Sequence, residues 1–154
     1  MSAGGAAAGA GARADGWQGE ARRVLIPVDE GKRVTEAKPR TRRRSLAGLT
    51  AALERATTRG GQARAHYELG LFHDNNGREA RAIPHYREAL ALDIDPAVVP
   101  EALAWLASSL FKTGQPREAS LRAGQALRLT TDPSLEGLLR RLLRRIDRAV
   151  DESQ

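Results

Sequence analysis

The sequence predicts an all-α protein of about six helices, arranged as antiparallel helical hairpins. From Ser45 onward, apolar residues recur at spacings of three and four, and a shift of 37 residues superimposes one stretch of the chain on another. The 154 residues are 41% hydrophobic but only 4% aromatic, so the core depends on Leu and Ala, which favour helices. An aromatic-rich β-sandwich is therefore disfavoured. The chain contains no cysteine, which excludes disulfides and thiolate metal sites.

Residues 1–44 are predicted to be a disordered tail, rich in Gly and Ala at the start and basic at the end, where the run Lys38–Arg44 lies. The tail holds ten basic and five acidic residues of a chain whose net charge is +6. The remaining domain is therefore nearly neutral apart from its last helix. The start lacks a secretory signal and no apolar run reaches the roughly 20 residues of a spanning helix. We expect a cytoplasmic protein with no membrane partner.

Six helices are predicted from the spacing of the apolar residues and from the capping, glycine and proline residues between the apolar segments. Ser45 is expected to cap the first helix and Gly60-Gly61 to end it, while Asp95-Pro96 is expected to start the fourth. The last helix carries leucines on one face and arginines on the other. The predicted ranges are about 46–58, 63–75, 78–92, 97–113, 116–131 and 134–150.

The 37-residue shift identifies a helix-turn-helix unit that occurs twice. It aligns small residues where helices approach closely, a glycine at the turn between helices, and an Asp-Pro pair after the second helix. The aligned pairs are Gly70 with Ala107, Gly77 with Gly114, Ala82 with Ala119, Ala89-Leu90 with Ala126-Leu127, Leu92 with Leu129, and Asp95-Pro96 with Asp132-Pro133.

These units resemble the tetratricopeptide repeat (TPR) family, in the form of a small bacterial-type TPR domain protein. Leu69-Gly70 stands at the family's Leu-Gly step and Gly77 at its inter-helix turn, whereas His73 occupies a position that is usually large and apolar. The resemblance implies a short right-handed solenoid over residues 45–151. Its repeats are expected at about 63–96 and 100–133, with flanking helices at 46–58 and 134–150. The final helix is expected to act as a solvating cap.

The resemblance also implies a noncatalytic protein-protein interaction module, or scaffold, that binds a peptide or partner protein in a concave groove. The family's clamp for acidic chaperone C-termini uses Lys and Asn where this chain has Tyr67 and Leu71, so that ligand class is disfavoured. The groove-facing candidates are Arg64, Tyr67, Leu71, Asp74, Asn75, Glu101, Ala104, Ser108, Phe111 and Lys112.

No catalytic or cofactor-binding motif is found, and no cofactor is expected. His66 and His73 could share a helix face, with His85 on the next helix, but they lack the tight pair and converging carboxylate of a metal site. We therefore interpret the three histidines as surface or partly packed side chains, with no metal.

Two other hypotheses remain open. The arginines of the last helix and the run Lys38–Arg44 could bind nucleic acid through phosphates, as a nucleic-acid-associated regulator would. Self-association through an incompletely capped solenoid end is the third hypothesis.

Overall fold

The computed structural model describes residues 45–154, which fold into six α-helices with no strand in that range. The all-α prediction of about six helices is thus confirmed. The predicted tail of residues 1–44, with its basic run, lies outside the described residues. The helices are α1 Leu46–Arg55, α2 Arg59–Asn75, α3 Glu79–Ala91, α4 Val99–Lys112, α5 Pro116–Leu129 and α6 Pro133–Glu152.

Each helix packs mainly on its neighbours in the chain. The closest pairs are α2 with α3 and α4 with α5, the two predicted hairpins, and α3 also packs on α4 to join them. Helix α1 packs on α2, while α6 packs on α5 and also contacts α4. The arrangement is that of a helical repeat in which each unit buries its apolar face on the next.

The core is centred on α4, whose residues from Ala102 to Leu110 are all buried. The side chains of Leu106 and Leu110 are fully buried, and Trp105 is 2% exposed. A helix that is apolar all round is typical of the interior of a bundle. Helix α4 therefore gives both hairpins a common packing surface.

The turns inside the two hairpins follow the repeat. Gly77 between α2 and α3 has φ 72°, and Gly114 between α4 and α5 has φ 84°. A residue with a Cβ is strained in this left-handed conformation, which explains why both units have glycine there.

The predicted boundary at Gly60-Gly61 is wrong. Both glycines lie in the first turn of α2, and Thr58 caps this helix by accepting a hydrogen bond from the Gly61 amide, 3.0 Å from its side-chain oxygen. Helix α1 instead ends at Arg55. A threonine cap satisfies an otherwise unpaired amide, and this local gain outweighs the helix-ending tendency of the glycines.

The two Asp-Pro pairs behave differently. Asp132 caps α6 by accepting a hydrogen bond from the Ser134 amide at 2.9 Å, as the repeat predicts. Asp95 accepts from the Ala97 amide at 2.9 Å, but α4 begins only at Val99. Asp95-Pro96 therefore forms a turn between the repeats, and the prediction that it starts α4 is wrong.

Candidate functional site

The ten predicted groove residues divide by burial. Tyr67 is 8% exposed, Asp74 4%, Ser108 2%, and Ala104 is fully buried. These four side chains pack between helices, so we leave them out of the candidate partner-binding surface. The remaining six are exposed or half-buried, and we call them the groove surface: Arg64, Leu71 and Asn75 on α2, and Glu101, Phe111 and Lys112 on α4.

Tyr67 joins α2 to α4 beneath this surface. Burial raises the pKa of its hydroxyl far above the usual range, and the Glu101 carboxylate raises it further. Trp105 and Arg64 oppose the increase in pKa. The ring of Tyr67 also lies 6.1 Å from that of Tyr86 on α3, centroid to centroid. Tyr67 is thus a packing residue, and Glu101, Arg64 and Asp74 are the charged groups that act on its hydroxyl.

Asp74 is a buried carboxylate that ties α2 to α3. The Tyr86 hydroxyl donates a hydrogen bond to its Oδ2 atom at 3.0 Å. A charge taken out of water needs such partners, since an unpaired buried carboxylate is costly. Asp74 was predicted to face the groove, but in the structure it stabilises the hairpin instead.

Phe111 links α4 to α6. The guanidinium carbon of Arg145 lies 5.5 Å from the centroid of the Phe111 ring, within the range of a cation–π contact. Arg145 is half-buried at this contact. Arg141 and Arg148 lie four residues before and three after Arg145, so they share this side of α6. We add Arg141, Arg145 and Arg148 to the groove surface.

The opposite side of α6 has mixed charge. Arg140 there forms an ion pair with Glu136 at 2.8 Å, four residues away. Asp147 and Asp151 line a shallow groove against the start of α5, on the side away from Phe111. The basic character of α6 is therefore concentrated on the side that meets α4.

Two cations of the groove surface have acidic partners close by. Arg64 pairs with Glu68 at 3.3 Å on α2, and the Lys112 ammonium lies 3.9 Å from the Glu79 carboxylate on α3. Both pairs are at least partly exposed to solvent, where ion pairs contribute little to stability and exchange easily. They leave these side chains able to turn toward a bound partner.

The three histidines form a cluster, which the sequence did not predict. The Nδ1 atoms of His66 on α2 and His85 on α3 are 3.0 Å apart, and the His73 ring stacks on His85 with centroids 5.6 Å apart. His73 is buried, whereas the other two are half-buried. Within residues 45–154 no group of three or more His, Cys, Asp or Glu side chains could hold a metal ion.

One structural relation was within reach of the sequence and was missed. The 37-residue shift that defines the repeat also places Ala104, Ser108 and Phe111 on Arg141, Arg145 and Arg148. Extending the repeat by one helix would have grouped these arginines with the groove candidates of α4 rather than with the outer side of a cap.

In the part of the chain that the structure describes, no helix is long and apolar enough to cross a membrane. No curated protein matches the chain. The tetratrico peptide repeat family matches residues 63–143, which include both hairpins except the first turn of α2, and the first half of α6. Repeats of this kind are generally noncatalytic modules for protein-protein interaction. The match covers more than half of the chain, and it agrees with the observed helical repeat: this protein belongs to the tetratricopeptide repeat family.

Proposed function

We propose that the chain is a noncatalytic interaction module that binds a partner protein through the groove surface, and that the bound segment of the partner is acidic. The observation that carries the proposal is the contact between Arg145 and Phe111. It places Arg145, which has Arg141 and Arg148 about one helical turn away on either side, against an aromatic side chain that is only half-buried. Aromatic and arginine side chains are the residues that most often dominate protein interfaces.

The charge of the surface supports an acidic partner. Arg141, Arg145 and Arg148 bring three positive charges, whereas Arg64 and Lys112 are paired with Glu68 and Glu79. Glu101 is the single acid among the nine residues. Burial, and then the nearby Asp132, raises the pKa of Glu101. Carboxylates of a partner would find bidentate guanidinium donors along α6.

Affinity capture with mass spectrometry tests the proposal. A chain that begins at Ser45 should recover the same partner from the source lysate as the full chain does. Phe111→Ser should reduce its recovery at least tenfold, because an aromatic anchor is lost. Leu121→Ser is the matched control, since Leu121 on α5 is 54% exposed and lies outside the groove surface. Equal recovery with both variants would contradict the proposal, provided that circular dichroism shows both to be folded.

Nucleic acid is the second candidate partner, since the exposed arginines of α6 could also contact phosphates. Gel shifts at low and moderate salt test this candidate. Binding through phosphates predicts a shift at low salt that falls steeply as salt increases. No shift at low salt would remove this candidate and leave the acidic protein segment.

Self-association is the third candidate. Leu121 and Leu129 on α5 are more than half exposed, so a second copy of the chain could cover these apolar side chains. Light scattering of the full chain would show a mass above that of the monomer.

A further inference from the structure

All three histidines of the chain meet at one place in the first hairpin. The sequence contains three histidines, and the rings of His66 and His73 both lie against the ring of His85, with centroids 5.3 Å and 5.6 Å away. They come from two helices, since His85 is on α3 and the others are on α2. Any titration of histidine in this protein is therefore a titration of this cluster.

The hydrogen bond in the cluster limits how many protons it can hold. At 3.0 Å between the two Nδ1 atoms, one of His66 and His85 must donate and the other must accept. An imidazolium ion has a proton on both nitrogens and accepts nothing. When both rings are protonated, the hydrogen bond is lost and two positively charged imidazolium rings lie next to each other.

The surroundings of His73 also disfavour its protonated form. Its ring is 5% exposed, and its buried Nδ1 atom has no hydrogen-bond partner. A buried imidazolium needs hydrogen-bond acceptors, and without them the charged form is costly.

The surroundings of the cluster contain cations and apolar side chains. Arg78, just before α3, and Arg81 on α3 both lower the pKa of His73. Helix α1 packs nearby and contributes Leu46, Thr50 and Leu53 to a groove of about 490 Å³ that His73 and His85 also line. None of these α1 side chains is titratable. The groove is completed by Leu69 of α2 and by Ala80, Arg81 and Pro84 of α3.

We propose that the histidine cluster is an acid-sensitive lock on the first hairpin. The lock holds when the three rings are neutral, and protonation separates α3 from α2 and loosens α1, which packs on α2. The second hairpin, α4–α5, and helix α6 carry no histidine, so they stay folded. Because each repeat contacts only its neighbours, one end can open without the other.

The pKa values support this direction. Burial lowers the pKa of His73 and of His85, and the neighbouring cations lower both further. At pH values just below the ordinary histidine pKa of about 6.5, the unfolded hairpin therefore binds more protons than the folded one. The stabilisation is complete above that value and is lost as the pH falls below it. For each extra proton bound on unfolding, the equilibrium constant for unfolding rises about tenfold for every unit by which the pH falls.

Opening would also affect partner binding, because α2 carries Arg64, Leu71 and Asn75 of the groove surface. This consequence rests on the proposed function, whereas the lock itself does not. The lock is therefore tested on the protein alone.

Two measurements on the full chain test the lock. Proton NMR of the three imidazole Hε1 signals should give midpoints below 6.5 for His73 and His85. Hydrogen exchange at pH 7.5 and 5.5, corrected for the intrinsic rate, should show at least tenfold loss of protection in residues 46–91 and little change in residues 99–152.

A variant isolates the histidine contribution. His66→Asn with His85→Asn keeps a donor and an acceptor near the two Nδ1 positions but cannot titrate. Urea unfolding of this double variant should show a much weaker pH dependence between 7.5 and 5.5 than the parent chain, whatever its stability at pH 7.5. Glu101→Gln in both backgrounds removes a carboxyl whose pKa is raised by burial, so that this group makes no contribution to the pH dependence.

Midpoints at or above 6.5, an unchanged pH dependence in the double variant, or loss of protection spread evenly over all six helices would each overturn the lock. Failure of the groove proposal would leave these results unaffected, because none of them involves a partner.

Discussion

The Tyr86 hydroxyl donates a hydrogen bond to the Asp74 carboxylate, 3.0 Å away, at the interface of α2 and α3. Both side chains are buried, Tyr86 completely so. The bond therefore gives the Asp74 carboxylate, which has little contact with water, a hydrogen-bond partner. It also holds the two helices of the first hairpin in register.

Tyr86→Phe removes this donor and leaves the carboxylate less well satisfied. We expect a loss of about 1–3 kcal/mol in the free energy of unfolding, because a buried charged acceptor loses a hydrogen bond. Urea denaturation followed by circular dichroism measures it. In a double-mutant cycle with Asp74→Ala, which removes the acceptor, the two effects should couple. Purely additive effects would mean that the bond does not contribute to stability.

The ring of Tyr86 also explains the glycine of the Leu-Gly step. A Cβ atom added at Gly70 would lie 2.6 Å from Cε1 of Tyr86, closer than real contacts allow. We expect Gly70→Ala to destabilise the protein by about 1–3 kcal/mol, despite the better helix propensity of alanine.

Gly60 provides the matched control in the same helix. A Cβ atom at Gly60 would meet nothing within 4 Å. Gly60→Ala should therefore be neutral or stabilise the protein by up to about 1 kcal/mol. If the two alanine variants melted at the same temperature, the close approach of Tyr86 to Gly70 would be refuted.

Leu106 on α4 is fully buried at the junction of the two hairpins. Leu106→Ala should reduce the free energy of unfolding by about 2–5 kcal/mol, since it removes buried methyl groups and leaves a cavity. Leu129→Ala on α5, where the side chain is 55% exposed, should change it by less than about 0.5 kcal/mol. Thermal melts of the two variants compare them directly, and similar melting points would place Leu106 outside the core.

The number of helices and their pairing could be predicted from the sequence, because the same helix-turn-helix pattern occurs in it twice. The aligned pair Asp132-Pro133 does begin a helix, as the repeat indicates, and the cap at Asp132 depends only on residues that are close in the chain. Asp95 failed in the same role because the chain turns once more before α4 begins at Val99. Gly60-Gly61 failed because Thr58, two residues earlier, starts a new helix there.

The site was harder to predict than the fold. Whether Asp74 faces a groove or the interior depends on Tyr86, twelve residues later on another helix. His66 and His85, nineteen residues apart, meet only because α2 and α3 pack side by side. Spacing along one helix shows which residues share a face, but it does not show what covers that face. The burial of Tyr67, Ala104 and Ser108 therefore could not be predicted from spacing, because it depends on what covers their faces of α2 and α4.

The central claim is that a partner contacts the side of α6 that meets Phe111, and a charge reversal tests it most directly. The partner captured with the full chain would be titrated by calorimetry against Arg145→Glu and against Arg140→Glu. Arg140 is exposed and lies on the opposite side of α6, about 140° around the helix from Arg145. Both variants carry the same net charge, so a general electrostatic effect weakens both equally. We predict that Arg145→Glu raises the Kd at least tenfold and that Arg140→Glu raises it less than threefold. Equal effects of the two variants, or a larger effect of Arg140→Glu, would contradict binding at the side of α6 that meets Phe111.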